Sequence, residues 1–345
     1  MKARFATQSE INNWNDLILT NPNHGNIFQT KEFAFIKSIN NWSSRFVVLE
    51  NNYLLVLERK IPLLGNFWYV PKGPGITSVK DLEDMLPELK RFAHKHHVFT
   101  VKLEPELLET PAITKVLVKN NLQKSLPVQA ANTIIIDLSR PIEEIVANFS
   151  SKTRGNIRAA VKAGVTTEVV PINNSNCKLF YKMMTQTING RSHVRSYDYF
   201  KTFWETHYRA GTGIFLFAKS GKKVISMDFI MLLGEKAARK DAASTRNHSI
   251  RGASALLEMY AIEYLKDRGV KEYDLYGSPP ANQIKNPQHP YYGFGTFKAG
   301  FNSKVTDYIG CYDMVINVSA YRIWRMYGER VVHKIYSLKY HDLFY

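Results

Sequence analysis

Lys298 stands in a run of small and aromatic residues, Gly293-Phe294-Gly295-Thr296-Phe297-Lys298-Ala299-Gly300-Phe301. A cation held in such a frame can stabilise the oxyanion that forms when a nucleophile attacks an acyl carbonyl. The same lysine can also do no more than cover aromatic faces. A second group of charges, Lys152, Arg154, Arg158 and Lys162, forms a basic stripe whose last three members fall at i, i+4 spacing on a helix. An anionic partner such as a nucleic-acid phosphate fits that stripe, as does a plain solvated helix face. His193, His289 and His333 lack metal-ligand spacing, and the sequence contains no HExxH, Walker loop or Gly-x-Ser-x-Gly elbow. Gly73-Pro74-Gly75 reads as a turn, because proline removes the N–H donors that a phosphate loop needs.

The elements that must position these residues alternate between helix and strand. Trp14 and Leu17 lie on a helix capped by Ser9, and Lys31 to Ile39 is amphipathic. Phe46 to Leu49 and Tyr53 to Leu57 form a hairpin around Asn51-Asn52, and Trp68-Tyr69-Val70 is a strand. A helix over Asp81 to His96 leads to a strand over Val98 to Leu103. The order then recurs: a strand at Thr133 to Leu138, helices at Pro141 to Phe149 and Lys152 to Ala163, and a strand at Thr166 to Val170. Helices near Lys178 to Thr187 and Tyr197 to Ala210 precede strands at Gly213 to Ala218 and Val224 to Leu233. The helix Ala253 to Lys266 and the strand Glu272 to Tyr276 follow. Two consecutive units of similar grammar point to a duplicated fold. Ser319 to Lys339 is a basic, aromatic helix that could touch membrane or RNA, and is expected more readily to pack back on the first domain with its charges in water.

At 345 residues, two domains are expected. Lys plus Arg number 46 against 30 Asp plus Glu, a net charge of +16, which favours polyanionic partners: nucleic acid, nucleotide diphosphates or an anionic membrane face. No stretch approaches the ~18 apolar residues of a membrane span. With no apolar leader core and only Cys177 and Cys311, the expected location is a reducing cytoplasm.

Arg246 to Gly277 has the order of an N-acetyltransferase coenzyme segment: a loop with Arg251-Gly252, a helix, a glycine stop, a strand. Such loops place helix N–H groups on a pyrophosphate and need glycine at the third place after the leading Gln or Arg. Here that place is Ser249, so the fold signal survives while the coenzyme signal does not.

Further motifs carry a resemblance. They are Trp68-Tyr69-Val70-Pro71-Lys72-Gly73-Pro74, Val101-Lys102-Leu103-Glu104-Pro105, Ser150-Ser151-Lys152-Thr153-Arg154, Tyr273-Asp274-Leu275-Tyr276-Gly277 and the Lys298 frame. In this order they resemble the FemABX family of peptidoglycan-bridge aminoacyltransferases. The resemblance implies an α/β (α+β) fold of two tandem acyl-CoA N-acyltransferase (GNAT)-like domains with mixed central sheets. The first would comprise residues 1–140 plus 312–345, and the second residues 141–311. It implies transfer of an amino acid from aminoacyl-tRNA to the stem peptide of UDP-MurNAc-pentapeptide or lipid II, with no cofactor and no metal. A monomer with possible peripheral contact at the inner membrane face is expected.

By the same resemblance, Lys37 and Arg195 grip the diphosphate of the precursor, with Tyr199 nearby. Lys298 stabilises the oxyanion. Glu104 is either the base for the attacking amine or a hydrogen-bonding carboxylate. Lys152, Arg154, Arg158 and Lys162 contact tRNA or precursor phosphate. Gly164 to Arg251 has no room for the long helical arm of many members, so the chain looks like the short members that use the soluble nucleotide-linked acceptor. Lys240-Asp241 stands where the family often has aromatic residues lining the substrate groove. A CoA-dependent acyltransferase and a non-catalytic RNA- or membrane-binding protein are the alternative readings.

Overall fold

A computed structural model describes residues 2–188, 194–245, 250–340 and 343–345, with Tyr340 described in its main chain only. The chain divides into two units, residues 1–131 with 307–345 and residues 132–306. Residues 1–131 supply β1 (Ala3–Phe5), β2 (Ser43–Leu49), β3 (Asn52–Ile61), β4 (Gly65–Val70), β5 (Val98–Leu103) and β6 (Leu122–Lys124). Residues 132–306 supply β7 (Ile135–Asp137), β8 (Val165–Val170), β9 (Gly213–Ser220), β10 (Lys223–Leu233), β11 (Lys236–Ser244) and β12 (Glu272–Asp274). β13 (Tyr312–Val315) returns to the first unit.

The first sheet runs β1-β2-β3-β4-β5-β13-β6 and the second β7-β12-β11-β10-β9-β8. Each is an antiparallel meander followed by one parallel pair, β4 with β5 and β11 with β12. A parallel neighbour needs a crossover, and a helix supplies it in both units. In the first unit the helix is Val79–Lys95. Ser78 and Asp81 close a capping box at its start, each bond 3.1 Å. In the second unit the helix is Ala253–Asp267. This is the mixed α/β, tandem acyltransferase-like architecture expected from the sequence.

Four local expectations need correction. The strand assigned to the first domain, here β7, pairs with β12 (Glu272↔Asp137, Asp274↔Ile135), and its flanks Ile134 and Leu138 are buried in the second core. The unit boundary therefore lies before it. At the other junction Ile309 N–H bonds Leu107 O and Ser125 N–H bonds Cys311 O, so residues 307–311 belong with the first unit. The hairpin turn is Glu50-Asn51, with Glu50 left-handed, because the buried Asn52 belongs to β3 and donates its side-chain amide to Gly75 O at 3.0 Å. Finally, the C-terminal helix is not continuous. A wider π turn, Trp324–Gly328, joins Val318–Ile323 to Glu329–Tyr340 and keeps Trp324 fully buried.

β13 is held in the first sheet by charge as well as by its ladder. Lys102 and Asp313 are cross-strand partners in register, both fully buried, with Nζ 3.1 Å from the carboxylate. Lys102 also donates to Ser125 Oγ, and Tyr321 donates to Asp313 Oδ2 at 3.1 Å. Removing one side leaves a buried charge uncompensated. Lys102→Met is therefore expected to lower stability by about 3–5 kcal/mol, read as the shift of the urea unfolding midpoint. An unchanged midpoint would mean the pair contributes nothing to holding β13.

In the second unit, the short helix Tyr292–Ala299 that carries Lys298 packs closely at Gly295. A Cβ at Gly295 would sit 2.3 Å from Pro279 Cδ, whereas nothing lies within 4 Å at Gly293. Gly295→Ala should destabilise by about 1–3 kcal/mol. Gly293→Ala should stabilise by about 0.5–1 kcal/mol, since alanine is the better helix former and meets no neighbour. Equal effects in paired melts would refute the packing argument.

Candidate active site

Lys298 is buried near the end of its helix. Its Nζ donates to Tyr276 O at 2.6 Å and Gly277 O at 2.8 Å, and lies 4.7 Å from the centre of the Phe294 ring. An ammonium has three donors. Two are spent on carbonyls, and the third can meet an oxygen of a ligand. The accepting turn is itself fixed. Tyr276 and Gly277 both have positive φ (55° and 86°), Asp274 accepts from Tyr276 N–H at 2.7 Å, and Thr133 bonds both Asp274 and Gly277 N–H. Burial lowers the Lys298 pKa to about 7, and the Arg239 guanidinium reinforces the shift against the pull of Asp274, Glu258 and Asp228.

Arg239 belongs to a charge cluster that sequence reading missed. It pairs with Asp228 at 2.6 Å and Glu258 at 2.9 Å, all three side chains buried, and lies over Phe297, the residue before Lys298, at 5.4 Å. Burial raises both carboxyls, Glu258 to about 7, although Arg239 opposes the shift. The β10–β11 ladder slips at this point: Phe229 pairs with Asp241 and Ile230 with Arg239, leaving Lys240 as the extra residue of a bulge. The bulge re-aims side chains. Lys240 Nζ lies 5.4 Å from the Tyr276 ring centre, and Asp241 accepts from Trp204 Nε1 at 2.9 Å. Lys240 thus sits on the residue whose carbonyl holds Lys298. The signal available in the sequence was the departure Lys240-Asp241 itself.

Glu104 is buried in the first unit and its carboxylate is fully engaged. Oε2 accepts from Tyr69 Oη at 2.6 Å, and Oε1 from Gln129 N at 2.8 Å, Val128 N at 3.1 Å and Cys311 Sγ at 3.1 Å. Burial beside Glu104 pushes the Tyr69 phenol and Cys311 thiol upward, so both stay protonated donors at neutral pH. Such a carboxylate anchors the 128–129 loop. In this structure the carboxylate acts as a hydrogen-bond acceptor within the first unit.

Lys37 is buried rather than solvated, with Nζ 5.2 Å from the Phe33 ring centre. Arg195 and Tyr199 meet: the guanidinium lies 4.5 Å from the Tyr199 ring centre, on a helix (Tyr197–Arg209) capped by Ser196, which accepts from Tyr199 N at 3.2 Å. Tyr199 stacks in turn on Phe203. The basic stripe divides. Lys152, Arg158 and Lys162 are exposed along Ser151–Lys162, but Arg154 turns back to donate to Ala147 O at 3.2 Å and to Phe149 O. Arg154 therefore caps the helix Ile142–Ala147, a role that its i, i+4 spacing could not reveal.

Arg246 and Ser249 of the coenzyme-type segment, and His193, lie outside the described residues. Next to that segment, Gly252 is left-handed (φ 87°), and a Cβ there would meet Asn156 O at 2.0 Å. Arg251 donates to Asn156 Oδ1 at 2.6 Å. The cap of the crossover helix Ala253–Asp267 thus faces a carbonyl oxygen, beside a cleft of about 290 Å³ lined by Asn156, Lys223, Thr245 and Ser254. Among the described residues, no cluster of His, Cys, Asp or Glu could hold a metal, and no helix is long and apolar enough to cross a membrane. Between β8 and β9 the described helices are Asn174–Ile188 and Tyr197–Arg209, of 15 and 13 residues.

Comparison with known proteins shows the family. A lipid II:glycine glycyltransferase of Staphylococcus haemolyticus is 22% identical over 391 aligned positions, covering 89% of this chain and 91% of that protein. The protein of the same description from Staphylococcus epidermidis is 21% identical, covering 90% and 93%. The crystal structure of FemX has the same fold, with a TM-score of 0.79 at 16% identity over 94% of this chain and 99% of that one. The sequence profile of the FemAB family matches residues 7–126, 121–219 and 242–327, so the chain belongs to the FemAB family.

Proposed function

We propose that this protein transfers an amino acid from aminoacyl-tRNA to the stem-peptide amine of a peptidoglycan precursor, UDP-MurNAc-pentapeptide or lipid II. It is an acyltransferase of the FemAB family, and the family match together with the relatives named lipid II:glycine glycyltransferase supports a cell-wall acceptor. The observation that carries the chemical step is the buried Lys298, held by two carbonyls with one donor to spare.

The attacking amine adds to the carbonyl carbon of the aminoacyl ester. The oxyanion that forms accepts the third N–H of Lys298, in a site where burial strengthens the interaction. Collapse breaks the ester C–O bond. The ribose oxygen leaves and takes up a proton, and the amine gives up one. Tyr276 and Gly277 orient Lys298, while Arg239, neutralised by Asp228 and Glu258, sets the field around it. Arg195, stacked on Tyr199, and the buried Lys37 are the proposed diphosphate contacts, and the exposed Lys152, Arg158 and Lys162 the proposed tRNA contacts. A donor other than coenzyme A is favoured by the carbonyl of Asn156 packed on the helix cap at Gly252, where a pyrophosphate would need donors.

Incubation with a radiolabelled aminoacyl-tRNA pool and either precursor should move label into the precursor. Intact charged tRNA with no label in UDP-MurNAc-pentapeptide or lipid II, or equal transfer from acyl-CoA without RNA, would overturn the proposal. Lys298→Ala should lower kcat by about 10²–10³-fold with little change in KM. Arg195→Ala should raise the KM for the precursor by about 10–100-fold, the value of one charged hydrogen bond. The reverse pattern would exchange their roles.

The pH dependence follows from Lys298. Its cation is present below about pH 7 and is lost as pH rises through that value. A falling limb of kcat near pH 7 is expected, and Lys298→Arg should move it upward because a guanidinium stays charged. A limb unmoved by Lys298→Arg would assign it to another group.

A further inference from the structure

The C-terminal helical rod was expected either to touch membrane or RNA or to pack back with its charges in water; it packs back, yet much of what it presents outward is hydrocarbon. Ala320, Tyr321, Trp324 and Tyr336 face the first unit and are buried. On the side away from them Ile323, Met326, Tyr327, Val331, Ile335 and Leu338 are each between 49% and 68% exposed. Residues 323, 327, 331, 335 and 338 are spaced by four, four, four and three, which keeps them along one side of a helix. Exposed Arg322, Arg330 and Lys334 flank this stripe. The only carboxylate among residues 318–340 is Glu329, which is turned inward, where Arg325 and Tyr345 reach it.

A second observation is independent of the helix. The turn between β3 and β4 holds Leu63 fully exposed (104%) and left-handed at φ 65°. A branched side chain in that conformation is strained, and here no burial offsets the strain. The neighbouring Leu64 has its Cδ1 within 3.7 Å of where a Cβ on Gly328 would lie, so this tip adjoins the π turn of the rod. Exposed Lys60 lies just before the tip.

We propose that the rod Val318–Tyr340 and the Leu63 tip together form a docking surface for an anionic phospholipid membrane, with the stripe in the headgroup–acyl boundary and the flanking cations on lipid phosphates. An apolar stripe bordered by cations is the complement of such a surface. Nucleic acid offers phosphates but nothing that would bury isoleucine and leucine. A second copy offers the apolar stripe, but an isologous contact would set like charges against each other.

The test uses the full chain without tRNA or acceptor, so its outcome does not depend on the proposed reaction. Co-sedimentation should show roughly tenfold or more preference for phosphatidylglycerol–phosphatidylcholine vesicles over pure phosphatidylcholine, weakening as salt rises. The double variant Ile335→Glu/Leu338→Glu should lose binding by roughly tenfold or more at both compositions. Arg330→Glu/Lys334→Glu should lose only the preference for anionic vesicles. A tryptophan introduced by Leu63→Trp should shift its emission to the blue with anionic vesicles, a readout that needs no destabilising change. The proposal is overturned if vesicle binding is absent or unchanged in the variants. It is equally overturned if the apolar variants only dissolve a dimer seen by light scattering, or if the charge variants weaken tRNA binding and leave vesicle binding intact.

Discussion

Charge cannot be buried without an answering charge or dipole, and in the second unit this requirement organises the site. Arg239 lies in the interior because Asp228 on β10 and Glu258 on the crossover helix both reach it. The three side chains join sheet to helix, so the position of the guanidinium is set by two elements at once. Lys298 sits in the field of this group, and its own ammonium is answered by main-chain carbonyls instead of a carboxylate. A lysine paired with a carboxylate would be a satisfied structural cation. One held by two carbonyl dipoles keeps its charge unpaired with any carboxylate, as the proposed oxyanion role requires.

In the first unit two buried charges are matched more fully. Lys102 is matched by Asp313, and Glu104 by four donors. The two sheets share a plan, a meander and then a parallel pair joined by a helix, and in both the segment leaving the crossover strand carries buried polar groups. After β5 those groups lock a loop. After β12, the left-handed pair Tyr276 and Gly277 turns its carbonyls onto Lys298. One fold used twice thus yields an anchored unit and a unit with an available cation.

The net charge of +16 is likewise divided by the fold. Some cations are spent internally: Arg154 on carbonyls, Lys102 on Asp313, Lys72 on Ala130 O at 2.6 Å. Others remain on surfaces, along Ser151–Lys162 and along the C-terminal rod. Their settings differ. The first set lies on a mostly polar helix and is proposed for a phosphate backbone, whereas the second borders exposed aliphatic residues and is proposed for a bilayer surface. Composition alone could not separate these uses, because it counts cations and not their neighbours.

Features set by nearest neighbours were legible in the sequence. The hairpin, the crossover helices, the two α/β units and the small-residue frame of Lys298 follow from periodicity, turn residues and packing size within a few positions along the chain. The order of motifs was enough to suggest the family. What the sequence left open depends on residues far apart in the chain. Only the tertiary structure put β7 in the second sheet, buried Lys37, turned Arg154 onto Phe149 O, and filled the lone pairs of Glu104 from residues 69, 128, 129 and 311. The bulge at Lys240 and the exposed face of the final helix belong to the same class. Periodicity can say that a helix has two faces. Which face meets the core is decided by the packing energy of the whole unit, and only that energy fixes whether a charge is spent inside the fold or kept for a partner.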